Sequence, residues 1–336
     1  MPKDQESLEE SRKIRQMLID KWGLIPGSVI DADWSERASD DTITTNDMKR
    51  ASGYDTNNTF ALSGTGSTGG AMSRFPQNVC RWAISFWAPE KLESSGYFGN
   101  YLPTVLDPFA GHNSRMESTF LSNRNYVGSD ICHEFIEHNR KVLARLQEHN
   151  KSALIPVDSQ VILHEIDSRN LSSKVAPESM DFCITSPPFY NVEIYGPEAE
   201  QLSNCPTYED FLKDLQIIAN ACYLALKSGA YCVWEFNDFR RDNRFFTYHA
   251  DGLNLFRQAG FVIKDIVIVN YNASFYKAFL SFIEHLKVTA KQHSYLIVGQ
   301  KPASVKPKYV ETRERLVAEA QRYRKETGQL GFLIDN

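Results

Sequence analysis

The sequence predicts an α/β protein built on a mainly parallel β-sheet with helices on both faces. Apolar runs of strand length alternate with helical segments from residue 104 to residue 269, and this alternation is typical of parallel sheets. The chain has 336 residues, of which 42% are hydrophobic and 24% charged, enough for one large core with additions. Ligands of such sheets bind beyond the carboxyl ends of the strands, so polar residues at those ends are the first candidates for a functional site.

The two ends of the chain are predicted to lie outside the α/β domain, which we assign to residues 73–302. Within residues 1–72, residues 4–22 have a partial apolar face and predict a helix. Residues 31–70 are polar and end in a Gly-Ser run with no lysine after it, which favours a flexible linker over a phosphate-binding loop. Residues 303–336 are basic, and a solvated amphipathic helix or a phosphate-binding tail would both explain them.

Hydrophobic periodicity and the positions of proline and glycine predict the elements of the α/β domain. Pro76 begins the first helix and Pro89 ends it. A long insertion at 270–293 precedes the final strand, 295–298. The elements predicted between the first helix and this insertion are strands 104–106, 126–130 and 161–167, helix 132–148, strand 180–184, helix 208–226, strand 230–236, helix 247–259 and strand 261–269.

Composition limits the compartment and the partners. No apolar run approaches the roughly 20 residues of a membrane helix, and the first residues lack the apolar region of a secretion signal, so we expect a cytoplasmic protein that contacts no membrane. The six cysteines form no CxxC pair, which predicts reduced thiols and no metal site. Because the net charge is -5, any contact with nucleic acid has to come from local basic patches.

Two consecutive prolines end the strand at 180–184 and form a distinctive corner. Pro187 and Pro188 have fixed φ angles and no N–H, so they make a stiff bend with outward-facing carbonyl acceptors. The Ser186 hydroxyl precedes the bend and the Phe189 ring follows it. The corner suits a planar group that carries an NH₂. Taken alone, the motif would be better explained by an ordinary proline-rich loop with an aromatic anchor.

Polar residues at several strand ends predict a nucleoside-type pocket. After the strand that ends in Asp107, Gly111 lets the backbone approach a ligand, and an acid about 20 residues later suits ribose hydroxyl groups. Asp130 lies at that spacing, and Asp167 and Ser186 end later strands. The loop after Asp107 lacks the GxGxxG pattern, which disfavours a pyrophosphate site there. For each acid taken singly, helix capping or a solvated strand end is the alternative.

A series of motifs in this order resembles the S-adenosylmethionine-dependent DNA amino-methyltransferases. The series is FP, LDPFAG, YVGSD, DSRNL, TSPPF and YCVWEFND, and it covers about residues 74–301. The resemblance implies a Rossmann-like methyltransferase fold with an antiparallel last strand, S-adenosylmethionine as cofactor, and DNA as partner. The implied cofactor-binding residues are Phe75, Pro76, Asp107, Phe109, Ala110, Gly111, Asn113, Asp130, Asp167 and Ser168, and the implied catalytic residues are Ser186, Pro187, Pro188 and Phe189.

The loop after Asp107 departs from the family pattern at one position. Members of the family commonly have a second glycine where this chain has Asn113. Asparagine enters left-handed backbone geometry more readily than most other residues, so we expect the turn to survive with Asn113 in that geometry and cofactor binding to be retained. A loop that had lost the cofactor would leave a nucleic-acid-binding module without activity.

The resemblance also implies the chemistry. An amino nitrogen of a base is a poor nucleophile, and accepting its hydrogens at the Ser186 hydroxyl and the Pro187 carbonyl would aim its lone pair at a methyl donor. A serine before Pro-Pro is associated in the family with cytosine N4, so that product is favoured over adenine N6 or an RNA base. The base has to leave the duplex, and we expect Phe189 or Tyr190 to stack on it.

Recognition of the DNA is expected from segments outside the sheet. The insertion 270–293, with its aromatic and basic residues, is the first candidate and the polar segment 31–70 the second. A further basic group lies beside the strand at 230–236, and it consists of Arg240, Arg241 and Arg244.

Overall fold

The structure of the protein is a computed structural model. It describes residues 5–22, 26–32, 75–89, 101–190, 198–241, 244–271, 283, 285, 287–289 and 291–303. The chain divides into two compact units, Met1–Gly27 with Ala303–Asn336, and Ser28–Pro302. In the first unit, helix α1 (Gln5–Trp22) confirms the helix predicted near the amino terminus. The predictions for most of residues 31–70, most of the insertion 270–293 and nearly all of the basic tail lie outside the described residues.

The second unit holds the predicted α/β sheet. Its elements are β1 (Val29–Asp31), α2 (Gln77–Trp87), β2 (Thr104–Asp107), α3 (Ser114–Leu121), β3 (Asn125–Asp130), α4 (His133–Lys151), β4 (Val161–Glu165), a 3-10 helix (Ser168–Ser173), β5 (Met180–Thr185), a 3-10 turn (Leu202–Asn204), α5 (Tyr208–Ala225), β6 (Leu226–Phe236), β7 (Phe239–Arg241), β8 (Arg244–Phe246), α6 (Tyr248–Ala259), β9 (Val262–Asn270) and β10 (His293–Gln300).

Eight strands form one sheet in the order β1-β9-β10-β6-β5-β2-β3-β4, and β7 and β8 form a separate antiparallel hairpin. β10 runs antiparallel to both of its neighbours, β6 and β9, whereas the other pairs in the sheet are parallel. The Rossmann-like methyltransferase fold, mainly parallel with an antiparallel last strand, is therefore confirmed.

The strand order has a switch point at β2. From β2 the chain moves through β3 to β4 on one side, and it then returns to place β5 and β6 on the other. Right-handed crossovers in opposite directions put α3 and α4 on one face of the sheet and α5 on the other. In open α/β sheets the crevice at the carboxyl ends of the strands flanking such a point binds ligands, and here those strands are β2 and β5.

Among the described residues, two hydrophobic clusters pack on the sheet. One joins α5 and α6 to the central strands and includes Phe211, Trp234 and Phe256, all fully buried. The other joins α3 and α4 to β3 through Met116 and Tyr126. The six cysteines are free thiols, as predicted. None of the described helices combines the length and apolar character needed to cross a membrane.

Several elements differ from the expectations. The β7–β8 hairpin was not predicted, and β4 ends at Glu165 rather than at residue 167. β1 lies in the part assigned to an amino-terminal extension, yet it pairs with β9 in the sheet. α3 was not predicted at all. Residues 227–229, which the prediction left between helix 208–226 and strand 230–236, are instead part of β6, because Gly229 adopts a φ of 83° and its N–H donates to the Lys301 carbonyl at 3.0 Å. Pairing with the chain beyond β10 thus extends the strand backwards to the end of α5.

Candidate active site

Asp107, the last residue of β2, is fully buried at the switch point. Its Oδ1 atom accepts hydrogen bonds from Thr185 Oγ1 at 2.6 Å and from the Phe109 N–H at 3.2 Å. Its Oδ2 atom accepts from Arg115 Nε at 2.7 Å and from the Tyr126 hydroxyl at 2.8 Å. Two bonds to each oxygen use the capacity of a carboxylate. Asp107 therefore holds β2, β3, β5 and α3 together, and a ligand beside it would meet the backbone of the loop.

The bond from Thr185 to Asp107 brings the two main sequence motifs together. Thr185 ends β5, and the proline corner begins at the next residue, Ser186. Ser186 is half-buried at the rim, whereas Pro187 is buried. Because Thr185 is tied at 2.6 Å to the residue that begins the glycine loop, the corner and the loop lie at one point on the sheet edge.

Aromatic packing fixes the far side of the corner. The Phe189 ring is only 8% exposed, and its centroid lies 6.3 Å from those of both Phe239 and Tyr248. The Tyr248 hydroxyl donates to the Pro188 carbonyl at 3.2 Å. The Tyr190 ring is also occupied, 5.5 Å from Tyr208. Both rings proposed for base stacking are thus anchors of the corner in this structure, and either would have to leave its neighbours to stack on a base.

The glycine loop closes on Asp130 at the end of β3. Gly111 has a φ of 46°, in the left-handed region that favours glycine, and its N–H donates to Asp130 Oδ2 at 2.8 Å. The Cys132 N–H donates to Asp130 Oδ1 at 2.9 Å. Asn139 Nδ2 donates to the Gly111 carbonyl at 2.7 Å and holds the loop from α4. These bonds leave each Asp130 oxygen able to accept one further hydrogen bond.

Asn113 does not have the predicted left-handed geometry. Its φ and ψ are -62° and -12°, so it is already in the right-handed helical region where it precedes α3. Its side chain is buried, donates from Nδ2 to Glu117 Oε2 at 2.8 Å, and lies with Oδ1 3.3 Å from His138 Nε2. The expectation was wrong because Gly111 makes the left-handed turn alone, and position 113 then needs no glycine.

Asp167 and Ser168 follow β4 but are engaged within the protein. The Asp167 side chain caps the 3-10 helix through the Arg169 N–H at 2.9 Å and forms an ion pair with the Arg169 guanidinium at 2.6 Å. Ser168 is buried, donates to the Pro108 carbonyl and lies 3.1 Å from Ser129 Oγ. Ser168 therefore supports the loop after β2 from below, and Asp167 lies at the same edge.

Sequence reasoning missed Arg115, which is buried in the first turn of α3. Besides its bond to Asp107, its guanidinium donates to the carbonyls of Phe109 and Ala110 and lies 5.5 Å from the Phe75 ring centroid. Burial alone lowers the pKa of Arg115, but the Asp107 carboxylate more than offsets this and raises it. Arg115 therefore joins the helix that begins after Phe75 and Pro76 to the glycine loop.

One group among the described residues has the spacing of a metal site. Ligand atoms of Cys132, Glu134 and Glu198 lie within 4.8 Å of one another. The Cys132 thiol is buried and lies 3.2 Å from Glu134 Oε2, to which it donates. Burial raises the pKa of this thiol well above its usual value, and the thiolate is the form that binds metals. The group is accordingly explained by an S–H hydrogen bond.

No protein-family model and no curated protein matches this sequence. Similar solved structures include an S-adenosylmethionine-dependent methyltransferase from Methanosarcina mazei, with 14% identity, a TM-score of 0.38 and coverage of 60% of this chain and 94% of that one. A candidate methyltransferase from Bacillus halodurans has 12% identity and a TM-score of 0.40, and the match covers 60% of this chain and 94% of that one.

A candidate DNA modification methylase from Thermus thermophilus, also solved with S-adenosyl-L-methionine, has 21% identity and a TM-score of 0.31. The match covers 44% of this chain and 56% of that one, so the chain spans about half the length of the Thermus protein. At these identities and TM-scores the neighbours establish no family membership, and the function has to be inferred from the chain's own site.

Proposed function

We propose that this chain is a DNA methyltransferase that transfers a methyl group from S-adenosylmethionine to an exocyclic base amine, with cytosine N4 as the favoured target. The observation that carries the proposal is the 2.6 Å hydrogen bond from Thr185 to Asp107. It holds a stiff corner suited to an amino group beside a glycine loop suited to a nucleoside, at the switch point where ligands of such sheets bind. Neither motif alone would support the assignment.

The residues at the sheet edge fit the cofactor. Asp130 keeps one accepting position on each oxygen, which suits two ribose hydroxyl groups, and the left-handed Gly111 keeps the loop backbone open to close approach. Arg115 binds the carbonyls of Phe109 and Ala110 and packs on the Phe75 ring. The methionine end of the cofactor would lie beside these three residues. When bound, S-adenosylmethionine supplies an electrophilic methyl group on a positively charged sulfur.

The corner's own role is to hold and orient the amine. The Ser186 hydroxyl and the Pro187 carbonyl each accept one amino hydrogen, which favours a nitrogen whose lone pair faces the methyl group. The Pro188 carbonyl already accepts from Tyr248, so Pro187 is the proline whose carbonyl serves the substrate. Because the bend is stiff and anchored through Phe189, this orientation is prepared before the base arrives.

The reaction is tested by incubating the protein with isotopically labelled S-adenosylmethionine and mixed-sequence duplex DNA, digesting the DNA to nucleosides and measuring their masses. We expect labelled N4-methylcytosine. Labelled N6-methyladenine would keep the enzyme class and change the base. Label that enters RNA alone would overturn the DNA assignment. If calorimetry detects no cofactor binding at millimolar concentration, the chain is a nucleic-acid-binding module without activity.

Cofactor affinity is expected to fall as the pH is lowered below about 6. Burial raises the pKa of Asp130 to about 6, against the opposing effect of its two backbone N–H partners. Above this pH the ionised carboxylate accepts ribose hydroxyl hydrogens, and below it the proton occupies an accepting position. Because binding then requires loss of that proton, the dissociation constant should rise about fivefold between pH 6 and pH 5, as measured by calorimetry.

Asp130→Asn provides the matched control for this titration, because it keeps the shape of the side chain and removes the ionisation. Its affinity for S-adenosylmethionine should be weaker at pH 7.5 and nearly constant down to pH 5. A wild-type affinity that is equally constant over this range would remove Asp130 from the ribose site.

A further inference from the structure

A second polar cluster lies on the same edge of the sheet as the corner. It is formed by Asp238 after β6, Arg240 in β7, His249 in α6, Lys291 just before β10 and Tyr295 in β10, and we call it the β6–β10 cluster. β6 neighbours β5, and β10 neighbours β6, with Thr185 opposite Trp234 and Tyr295 opposite Phe236. At about 4.8 Å per strand, the cluster begins one strand from the corner and extends to about 10 Å from it.

The interior of the cluster is held rigidly. His249 Nδ1 lies 2.7 and 2.8 Å from the two Asp238 oxygens, and the His249 N–H donates to Asp238 at 3.0 Å. The His249 ring stacks on Tyr295 with centroids 4.2 Å apart and an interplanar angle of 21°. The side chain of Asp238 is 5% exposed and that of His249 is 27% exposed, so the acid faces inward.

Two basic side chains, Lys291 and Arg240, form the outer part of the cluster. Lys291 donates to the Asp238 carbonyl, which takes one of its three N–H donors. Arg240 is exposed, lies over the Phe245 ring at 4.7 Å, and contacts the Thr289 carbonyl at 3.5 Å, two residues before Lys291. Burial lowers the pKa of Lys291 to about 7, the Asp238 and Glu235 carboxyl groups oppose this shift, and the Arg240 charge adds to it.

The side chains of the nearby acids are hydrogen-bonded inside the protein. Both Asp238 oxygens face His249, and Glu235 is buried, where it accepts hydrogen bonds from Ser294 at 2.5 Å and from Tyr271 at 3.2 Å. Burial raises the pKa of Glu235. The groups of the cluster that remain for an outside partner are the exposed Arg240 guanidinium and the Lys291 amine, although the chain as a whole carries a net charge of -5. An anion placed between Lys291 and Arg240 would relieve their mutual repulsion.

We propose that the β6–β10 cluster binds a backbone phosphate of the substrate strand through Lys291 and Arg240. This inference rests on the proposed function, since it names where the nucleic acid lies once its base occupies the corner. The cluster is mechanically connected to the corner, because Phe239 and Tyr248, the chain neighbours of Asp238 and His249, are the rings that pack on Phe189. A nucleic-acid strand held at the cluster would therefore lie one to two β-strands away from Ser186.

The test measures the affinity for a fluorescein-labelled duplex DNA by anisotropy, between about 50 and 200 mM salt. Arg240→Gln and Lys291→Gln are compared with Arg140→Gln and Lys151→Gln. The control pair removes the same charges from exposed ion pairs on α4. Each phosphate contact contributes about 0.9 to the slope of log affinity against log salt. We expect each cluster variant to reduce this slope by about 1 and to bind about tenfold more weakly at the lowest salt.

The controls should retain wild-type affinity and slope, and cofactor affinity should be unchanged in all four variants. Because Lys291 also bonds a main-chain carbonyl, the exposed Arg240 decides the outcome if Lys291→Gln does not fold. Unchanged slopes in a protein that methylates DNA would overturn the phosphate site and leave the function standing. A reduced slope in a protein that methylates no nucleic acid would leave the phosphate site standing and overturn the function.

Discussion

Replacing Arg115 by methionine is expected to lower the free energy of unfolding by about 3–5 kcal/mol, measured by urea denaturation. The side chains of Arg115 and Asp107 are 7% and 0% exposed, so the substitution leaves a buried carboxylate without its cation. It also removes the donors to the Phe109 and Ala110 carbonyls. Methionine fills much of the same volume, so the loss reports the charge and the hydrogen bonds rather than a cavity.

Two further variants give this prediction its controls. The double variant Arg115→Met with Asp107→Asn removes both charges and should recover part of the lost stability, because coupled residues are not additive. Arg140→Met breaks an exposed pair with Glu137 and should cost about 0–1 kcal/mol. If the free energy of unfolding of Arg115→Met is within about 1 kcal/mol of the wild-type value, the other partners of Asp107 suffice to hold it, and the loop does not depend on Arg115.

The sheet could be predicted because its strands are local patterns. Each central strand is a short apolar run with a polar residue at its carboxyl end, and parallel strands bring those ends to one edge. The sequence therefore predicts that Asp107, Asp130 and Ser186 lie at the same edge of the sheet. β1 escaped prediction because it has three residues and its stability comes from pairing with β9, more than 200 residues away.

Partner choice inside the site could not be predicted from the same patterns. The bond between Thr185 and Asp107 joins residues 78 positions apart, and the bond between Tyr248 and Pro188 joins residues 60 positions apart. Nothing local distinguishes Thr185 from any other threonine that ends a strand. The position of Arg115 does allow a prediction from sequence. A cation in the first turn of a helix interacts unfavourably with the helix dipole, so a neighbouring acid is expected to compensate for it. The acid is Asp107.

Asn113 shows the limit of reasoning by residue substitution. A missing glycine suggested a residue in left-handed geometry, because asparagine tolerates it best. The loop instead concentrates that geometry at Gly111 and uses the Asn113 amide as a bridge between Glu117 and His138. The left-handed residue of the loop is Gly111, whose N–H donates to Asp130. Because Asp130 lies outside the loop motif, the motif alone does not indicate which residue takes that conformation.

Replacing Ser186 by alanine is expected to slow methyl transfer by about two orders of magnitude while leaving the dissociation constant of S-adenosylmethionine within about twofold of wild type. Thr185 and not Ser186 carries the bond to Asp107, so the variant keeps the junction between corner and loop intact. Under the proposed function, the substitution removes an acceptor for an amino hydrogen, an interaction expected to strengthen as the nitrogen becomes pyramidal. The rate is measured in single turnovers with labelled cofactor.

Ser228→Ala is the matched control, because that exposed hydroxyl donates to the Pro302 carbonyl away from the corner. It should leave both rate and cofactor affinity unchanged. A parallel loss of rate and of cofactor affinity in Ser186→Ala would mean that Ser186 shapes the pocket. A rate equal to the wild type would show that the amine is oriented by the Pro187 carbonyl alone. Only a loss of rate at constant affinity assigns the Ser186 hydroxyl to the transition state.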